Sequence, residues 1–355
     1  MHSSPLTPPR NSKVMKTKFL TQNEINGTTL AQAGKILQGG GLVVFPTETV
    51  YGLGANALDA SAAEKIYAAK GRPSDNPLIV HIASPADANK YAFVGEEFKK
   101  IAEAFMPGPI TVIMPKRDCI PSAVTGGLDS VGIRCPENAI ARSLIAAAGV
   151  PIAAPSANIS GKPSPTSALH VKGDLDGKVD MIIDGGDCTF GLESTIVKIE
   201  NGTVTLLRPG AITLDMLREL FDEVLVAEAV TNKLKDDERP LSPGMKYRHY
   251  APTAPLYLLS GTNARRIEYC MAADSDTLLL VYDEEAGLFP NHKIITLGSL
   301  NDEVSQAKRL FAALREADST DCKKILAPMP LQRGIALALY NRMIRAAAHN
   351  IIELS

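Results

Sequence analysis

The sequence contains no tryptophan, and aromatic residues make up only 5% of its 355 positions. Flat stacking platforms, on which single-stranded nucleic acid is held base by base, are therefore scarce. Neither sign of charge is in excess: 37 Lys and Arg face 39 Asp and Glu, for a net charge of −2. A whole-molecule basic field for gripping RNA is absent, so any RNA contact is expected to be local and weak. Cysteine is sparse and scattered. Cys119, Cys135, Cys188, Cys270 and Cys322 form no C-x-x-C pair and are odd in number. That argues against a disulfide framework or a structural zinc site and fits a reducing cytoplasm. No apolar run reaches membrane-spanning length. Also missing are an H-E-x-x-H pair, an EF-hand loop and a Walker sequence, and we find no pair of placed acids of the kind glycosidases use.

What remains is an ordinary globular composition, 45% hydrophobic and 21% charged, long enough for two domains. The first twenty residues carry Arg10, Lys13, Lys16 and Lys18 and no acid. We read residues 1–19 as a flexible tail, with organelle targeting or a start at Met15 as alternatives. From about 20 to 228, helix-like and strand-like patterns alternate. Leu30, Ala33, Ile36 and Leu37 keep helical spacing, and Ser61 with Glu64 resembles a capping box for a helix that reaches Lys70. Strands are predicted at 42–45, 110–114, 130–134, 151–154 and 180–183, with helices near 96–105 and 138–148. Asn201-Gly202 signals a hairpin between 194–199 and 203–207. Residues 229–255 form a linker loaded with Tyr, His, Lys and Arg rather than Gly and Ser. From 256 to 355 the alternation restarts, with strands at 256–259, 277–282, 293–297 and 324–326 and helices at 262–272, 302–316 and 332–349. The expected fold is α/β: a large twisted mixed sheet, then a smaller Rossmann-like doubly wound domain that lacks G-x-G-x-x-G.

Five clusters carry chemistry. Lys70-Gly71-Arg72-Pro73 runs through Asn76-Pro77 into the apolar strand holding His81. Two cations two residues apart can converge on a polyphosphate, although a helix-end lysine and a buried core histidine also fit. Phe45 to Gly54 is a strand leading into a hydroxyl-rich turn. Arg134 sits in the apolar run Val131–Cys135, where it needs either an ion pair or a substrate carboxylate. Pro155-Ser156-Ala157-Asn158 puts small hydrogen-bonding groups at a strand end, without the G-x-S-x-G setting of a serine nucleophile. Glu193-Ser194-Thr195 and Arg208 flank the hairpin. Cations and hydroxyls without paired acids point to an anionic ligand on a scaffold that is not a P-loop.

Taken in order, Pro46–Leu53, Lys70–Pro73, Pro107–Thr111, Gly132–Arg134, Pro155–Gly161 and Ser194-Thr195 resemble the YrdC-like threonylcarbamoyl-AMP synthases. Ser242–Pro252 and the α/β tail resemble the long, two-domain form. The resemblance covers roughly residues 20–355. It implies a cytoplasmic enzyme that joins L-threonine, bicarbonate and ATP, releases pyrophosphate, and serves proteins that transfer the threonylcarbamoyl group to tRNA. It implies a catalytic set of Lys70, Arg72, Ser156 and Asn158. Threonine contacts fall on Thr49, His81, Arg134, Ala154 and Ser194. ATP contacts fall on Arg72, Asn76, Ser130, Ser156, Ser164 and Arg208, with Tyr247 and Arg248 of the linker folding over. Mg²⁺ is expected on the ATP phosphates, with no metal cage in the protein. Two other readings are an RNA-binding module without catalysis and a carbamoyl transferase like the hydrogenase-maturation proteins, whose zinc-finger cysteines are missing here.

Overall fold

Short runs of β-branched and aliphatic residues between Gly, Pro and Asn stops give eleven strands to the first sheet. They are β1 (Lys18–Leu20), β2 (Val43–Phe45), β3 (Gly52–Asn56), β4 (Ile79–His81), β5 (Ile110–Pro115), β6 (Ser130–Arg134), β7 (Ile152–Ala154), β8 (Met181–Ile183), β9 (Thr195–Glu200), β10 (Thr203–Arg208) and β11 (Val224–Val226). The computed structural model describes residues 16–232 and 249–355. The strand order is β1-β8-β2-β3-β7-β4-β6-β5-β9-β10-β11, with parallel and antiparallel neighbours. The helices are α1 (Gly27–Gln38), α2 (Ala60–Lys70), α3 (Glu96–Phe105), α4 (Ser122–Thr125), α5 (Ala139–Ala148), α6 (Ala168–Leu175) and α7 (Leu214–Arg218).

Strand alternation decides what each face meets. Val44, Leu53, Val80, Ile133 and Ala153 point into one core with α2, α3 and α6. Val43, Phe45, Ile152 and Ala154 point the other way, against α1 and α5. His81 and Arg134 share this second face by register, because Val80 and Ile133 take the first. The helices α1 and α5 cover only part of the second face. Ile79, Ile113, Ile196 and Leu207 form a separate small cluster with Ala227.

That part forms an all-parallel sheet of β12 (Leu256–Ser260), β13 (Thr277–Val281), β14 (Lys293–Thr296), β15 (Lys324–Pro328) and β16 (Ile351–Glu353), ordered β14-β13-β15-β12-β16. α8 (Asn263–Met271) packs on one face, and α9 (Glu303–Ala317) and α10 (Ala336–Ala346) on the other. The core under α9 and α10 also takes in Val50, Leu192 and Tyr250, so apolar burial joins the two units.

Three expectations change. The tail ends before residue 18, because Lys18–Leu20 pairs in parallel with Met181–Ile183. The cap of α2 is Asp59, which accepts from the Ser61 amide at 2.9 Å, so Ser61 lies inside the helix rather than at its cap. Its carboxylate is the stronger acceptor beside the positive helix end. The strands β3, β11 and β16 and the helices α4, α6 and α7 were not predicted. The hairpin forms as expected, with Asn201 and Gly202 both at positive φ (51° and 79°), as a type I′ turn requires.

Candidate active site

His81 and Arg134 end the neighbouring parallel strands β4 and β6 and are paired in register. Arg134 is 4% exposed, and its Nη2 donates to Glu48 Oε1 at 2.6 Å and to Thr49 Oγ1 at 2.8 Å. Its Nε is buried and has no protein partner among the described residues. The sequence left an ion pair or a substrate carboxylate open for Arg134; the ion pair is present, and the residue also lines the site's cavity. His81 Nδ1 lies 3.1 Å from the Ile79 carbonyl, which can only accept, so Nδ1 carries the proton. Burial and the Arg134 cation push the imidazole down to about 3. Neutral His81 therefore presents Nε2 as an acceptor, suited to a hydroxyl and unsuited to a carboxylate.

Lys70 ends α2, and Gly71, at φ 61°, turns the chain away. Lys70 is 2% exposed. Its Nζ donates to the Ser156 carbonyl at 2.6 Å, to the Asn158 carbonyl, and to Asn158 Oδ1 at 3.4 Å. Burial and then Arg72 hold its pKa well below that of an ordinary lysine. Ser156 Oγ donates to Asn158 Oδ1 at 2.5 Å, and the Asn158 amide nitrogen donates to the carbonyls of Ile159 and Lys162. Lys70 and Asn158 are thus committed to shaping this loop, and the Ser156 side chain lines the cavity. Arg72 is oriented by the next turn, with Nε 3.3 Å from the Asn76 carbonyl and Nη2 3.0 Å from that of Pro77.

On the far wall, Arg208 donates to the Ser194 carbonyl (3.1 Å) and lies 3.3 Å from Ser194 Oγ, which pairs with Thr111 at 2.8 Å. Burial lowers Arg208 to about 10, still cationic at neutral pH. Ser164 donates to Glu193 Oε1 at 2.5 Å, and Glu193 Oε2 accepts from Arg342 of α10 at 2.9 Å.

These walls border one cavity of about 50 Å³. Arg72, His81, Arg134, Ala154, Ser156, Asn158, Ser164, Ser194 and Arg208, all singled out from sequence, line it together. Thr49 and Lys70 do not line it but hold residues that do. Asn76 contributes its carbonyl to Arg72 rather than a side chain to the wall. Ser130 lines a separate hollow with Pro77 and Ile113. Tyr247 and Arg248 lie outside the described residues. Their neighbours His249 and Tyr250 do line the cavity, and Tyr250 also stacks 5.1 Å from Phe311 of α9. The aromatic and basic linker was the signal; its register was not readable. Thr47, Tyr51, Glu48, Glu193 and Arg342 were missed as site residues. A lone acid on a turn and an arginine in a helical repeat give no local sign that they meet.

Three guanidinium groups line a hollow with one carboxylate, Glu193, whose oxygens are both engaged. Such a wall favours anions and leaves few oxygens for a bare cation. Among the described residues, no three His, Cys, Asp or Glu gather to hold a metal, and no helix is long and apolar enough to cross a membrane.

Residues 35–210 match the family described as telomere recombination (Sua5, YciO and YrdC), and residues 212–348 match the threonylcarbamoyl-AMP synthase C-terminal domain. The threonylcarbamoyl-AMP synthase of Pyrococcus abyssi is 44% identical over 326 residues, covering 91% of this chain and 95% of that protein. That of Bacillus subtilis is 42% identical over 333 residues, covering 92% and 95%. The crystal structure of P. abyssi Sua5 complexed with L-threonine superposes with a TM-score of 0.88 at 41% identity, covering 96% of this chain and 99% of that one.

Proposed function

This chain belongs to the threonylcarbamoyl-AMP synthase family, and from that premise we propose that it joins L-threonine, bicarbonate and ATP into L-threonylcarbamoyl-AMP and releases pyrophosphate. The product would serve proteins that place the threonylcarbamoyl group on tRNA beside the anticodon. The observation that carries this reading is the single buried hollow in which Arg72, Arg134 and Arg208 meet His81 and Ser194.

Threonine fits the Arg134 side. Its carboxylate would pair with the guanidinium, and its hydroxyl would donate to His81 Nε2. Ser194 and the Ala154 strand end would bound its small side chain. ATP fits the Arg72 and Arg208 side, with Ser156 and Ser164 offering hydroxyls to phosphate. We assign Lys70 and Asn158 the task of holding Ser156 in place. The roles of Asn76, Ser130, Tyr247 and Arg248 toward ATP stay proposals of sequence resemblance.

The chemistry brings two anions together. The threonine amine and bicarbonate condense to an N-carboxylate, losing water. One carboxylate oxygen attacks the α-phosphorus, the bond to the β-phosphate bridging oxygen breaks, and pyrophosphate leaves. Arginines fixed before the reaction lower this repulsion without reorganising, and the walls align the reactants. Mg²⁺ arriving on the nucleotide would add charge neutralisation on the phosphates. His249 and Tyr250 close one wall, which limits hydrolysis of the mixed anhydride.

The test is pyrophosphate release with each substrate omitted in turn. Release should need threonine, bicarbonate and ATP together. Equal release without threonine or without bicarbonate would overturn the reading.

A further inference from the structure

We propose that Arg342, in the C-terminal unit, is a positioning residue for the nucleotide half of the cavity: it neutralises Glu193 and holds that carboxylate where it fixes Ser164.

Helix α10 reads ALALYNRMIRA and is buried along most of its length. Arg342 within it is 0% exposed. A guanidinium in that setting is costly unless paired. Except for Asn341 Oδ1 (3.1 Å), its hydrogen-bond partners among the described residues all belong to the first unit. Nε donates to Glu193 Oε2 (2.9 Å), Nη1 to the Pro209 carbonyl (2.7 Å) and Nη2 to the Glu193 carbonyl (3.2 Å). Docking alone does not call for this. Asn341 and Arg345 of the same helix already hold it to the start of the linker through the carbonyls of Val230 and Ala229. An apolar residue would pack there as well or better.

What sets Arg342 apart is its partner. Glu193 lines the cavity and accepts from Ser164 at 2.5 Å. Burial would raise this carboxyl, yet Arg342 and Arg208 hold it below the usual range, so it stays an anion. An uncompensated anion there would repel phosphate at short range in a poorly screened site. Arg342 cancels it from behind, leaving the cations on the wall for the ligand. The C-terminal unit thereby sets the electrostatics of a cavity built mostly by the other unit.

This inference rests on the reading of the cavity as an ATP and threonine site. Its test is calorimetric titration of the full chain with ATP·Mg²⁺ and with L-threonine. The variants are Arg342→Met, Arg342→Lys and the double variant Arg342→Met/Glu193→Gln. Arg342→Met should weaken ATP by about tenfold or more and threonine by no more than about threefold. The double variant, with no bare carboxylate, should regain ATP affinity to within about threefold of the parent. Unchanged ATP affinity in Arg342→Met, or a double variant weaker than the single one, overturns the proposal. If Arg342→Met does not fold, Arg342→Lys decides: a selective loss for ATP supports the proposal and parent-like binding overturns it. A parent chain that binds neither ligand refutes the function instead, so the two failures are distinguishable.

Discussion

Glu48 and Arg134 form a buried ion pair at 2.6 Å, and the same carboxylate accepts the amides of Glu137 (3.1 Å) and Asn138 (3.4 Å) at the entry to α5. One acid thus orients the arginine assigned to threonine and anchors a helix start. Arg134→Met should weaken L-threonine binding by about 100-fold. It should also destabilise the fold by about 3–5 kcal/mol, because it strands a buried carboxylate. Adding Glu48→Gln should restore much of the stability but none of the binding. Urea unfolding and threonine titration separate the two effects. Parent-like threonine affinity in Arg134→Met would remove Arg134 from the substrate site.

Lys70 touches the cavity only through the loop it holds. Lys70→Met should cut turnover by about 100-fold, the scale expected when a reacting group shifts by about an ångström. Amide exchange should rise between 156 and 162, where Lys70 holds carbonyls. Lost turnover with unchanged exchange would favour a direct role for the amine.

His81 titrates at about 3 in the fold, against about 6.5 when unfolded. Below pH 6.5 the unfolded chain binds the proton that the folded chain refuses. Stability from neutral His81 is therefore complete above pH 6.5 and falls as the pH drops toward 3, by at most about 1.4 kcal/mol per pH unit. His170, lowered to about 4, and the buried His249 act with the same sign. His81→Gln should make stability less steep between pH 6.5 and 5, measured by urea unfolding. Threonine binding should show no protonation step near pH 6.5 that depends on His81. Such a step would contradict a neutral acceptor.

Local pattern carried much of this molecule and long-range geometry the remainder. The apolar run through Ile79 and Val80 already read as a strand carrying His81, although not which face the histidine takes. Lys70, Arg72, Ser156 and Asn158 stood out because polar groups at a corner between apolar runs have little use in folding alone. The sequence could not show that Lys70 would turn inward onto carbonyls while Arg72 turned toward the cavity, because neighbouring cations look alike before the chain bends. β3 was hidden by Gly52 and Gly54, which weaken a strand signal. They sit there because Phe45 and Ile152 leave no room for larger side chains. Glu193 and Arg342, 149 residues apart, are joined only by docking of the two units.

That docking has a tight point. A Cβ on Gly191 would come within 2.6 Å of Lys308 Cα and 2.7 Å of its carbonyl, and Gly191 has φ +78°. Gly191→Ala should wedge α9 away and cost about 1–3 kcal/mol. It should also weaken ATP more than threonine, since Glu193 follows two residues later. Equal loss for both ligands would show that the wedge spreads beyond the nucleotide wall.

The most direct test of the central claim uses isotopically labelled bicarbonate with ATP, Mg²⁺ and L-threonine. The account predicts label in an AMP-linked product that needs threonine and forms in step with pyrophosphate. Pyrophosphate release with no label entering an AMP-linked product would contradict it.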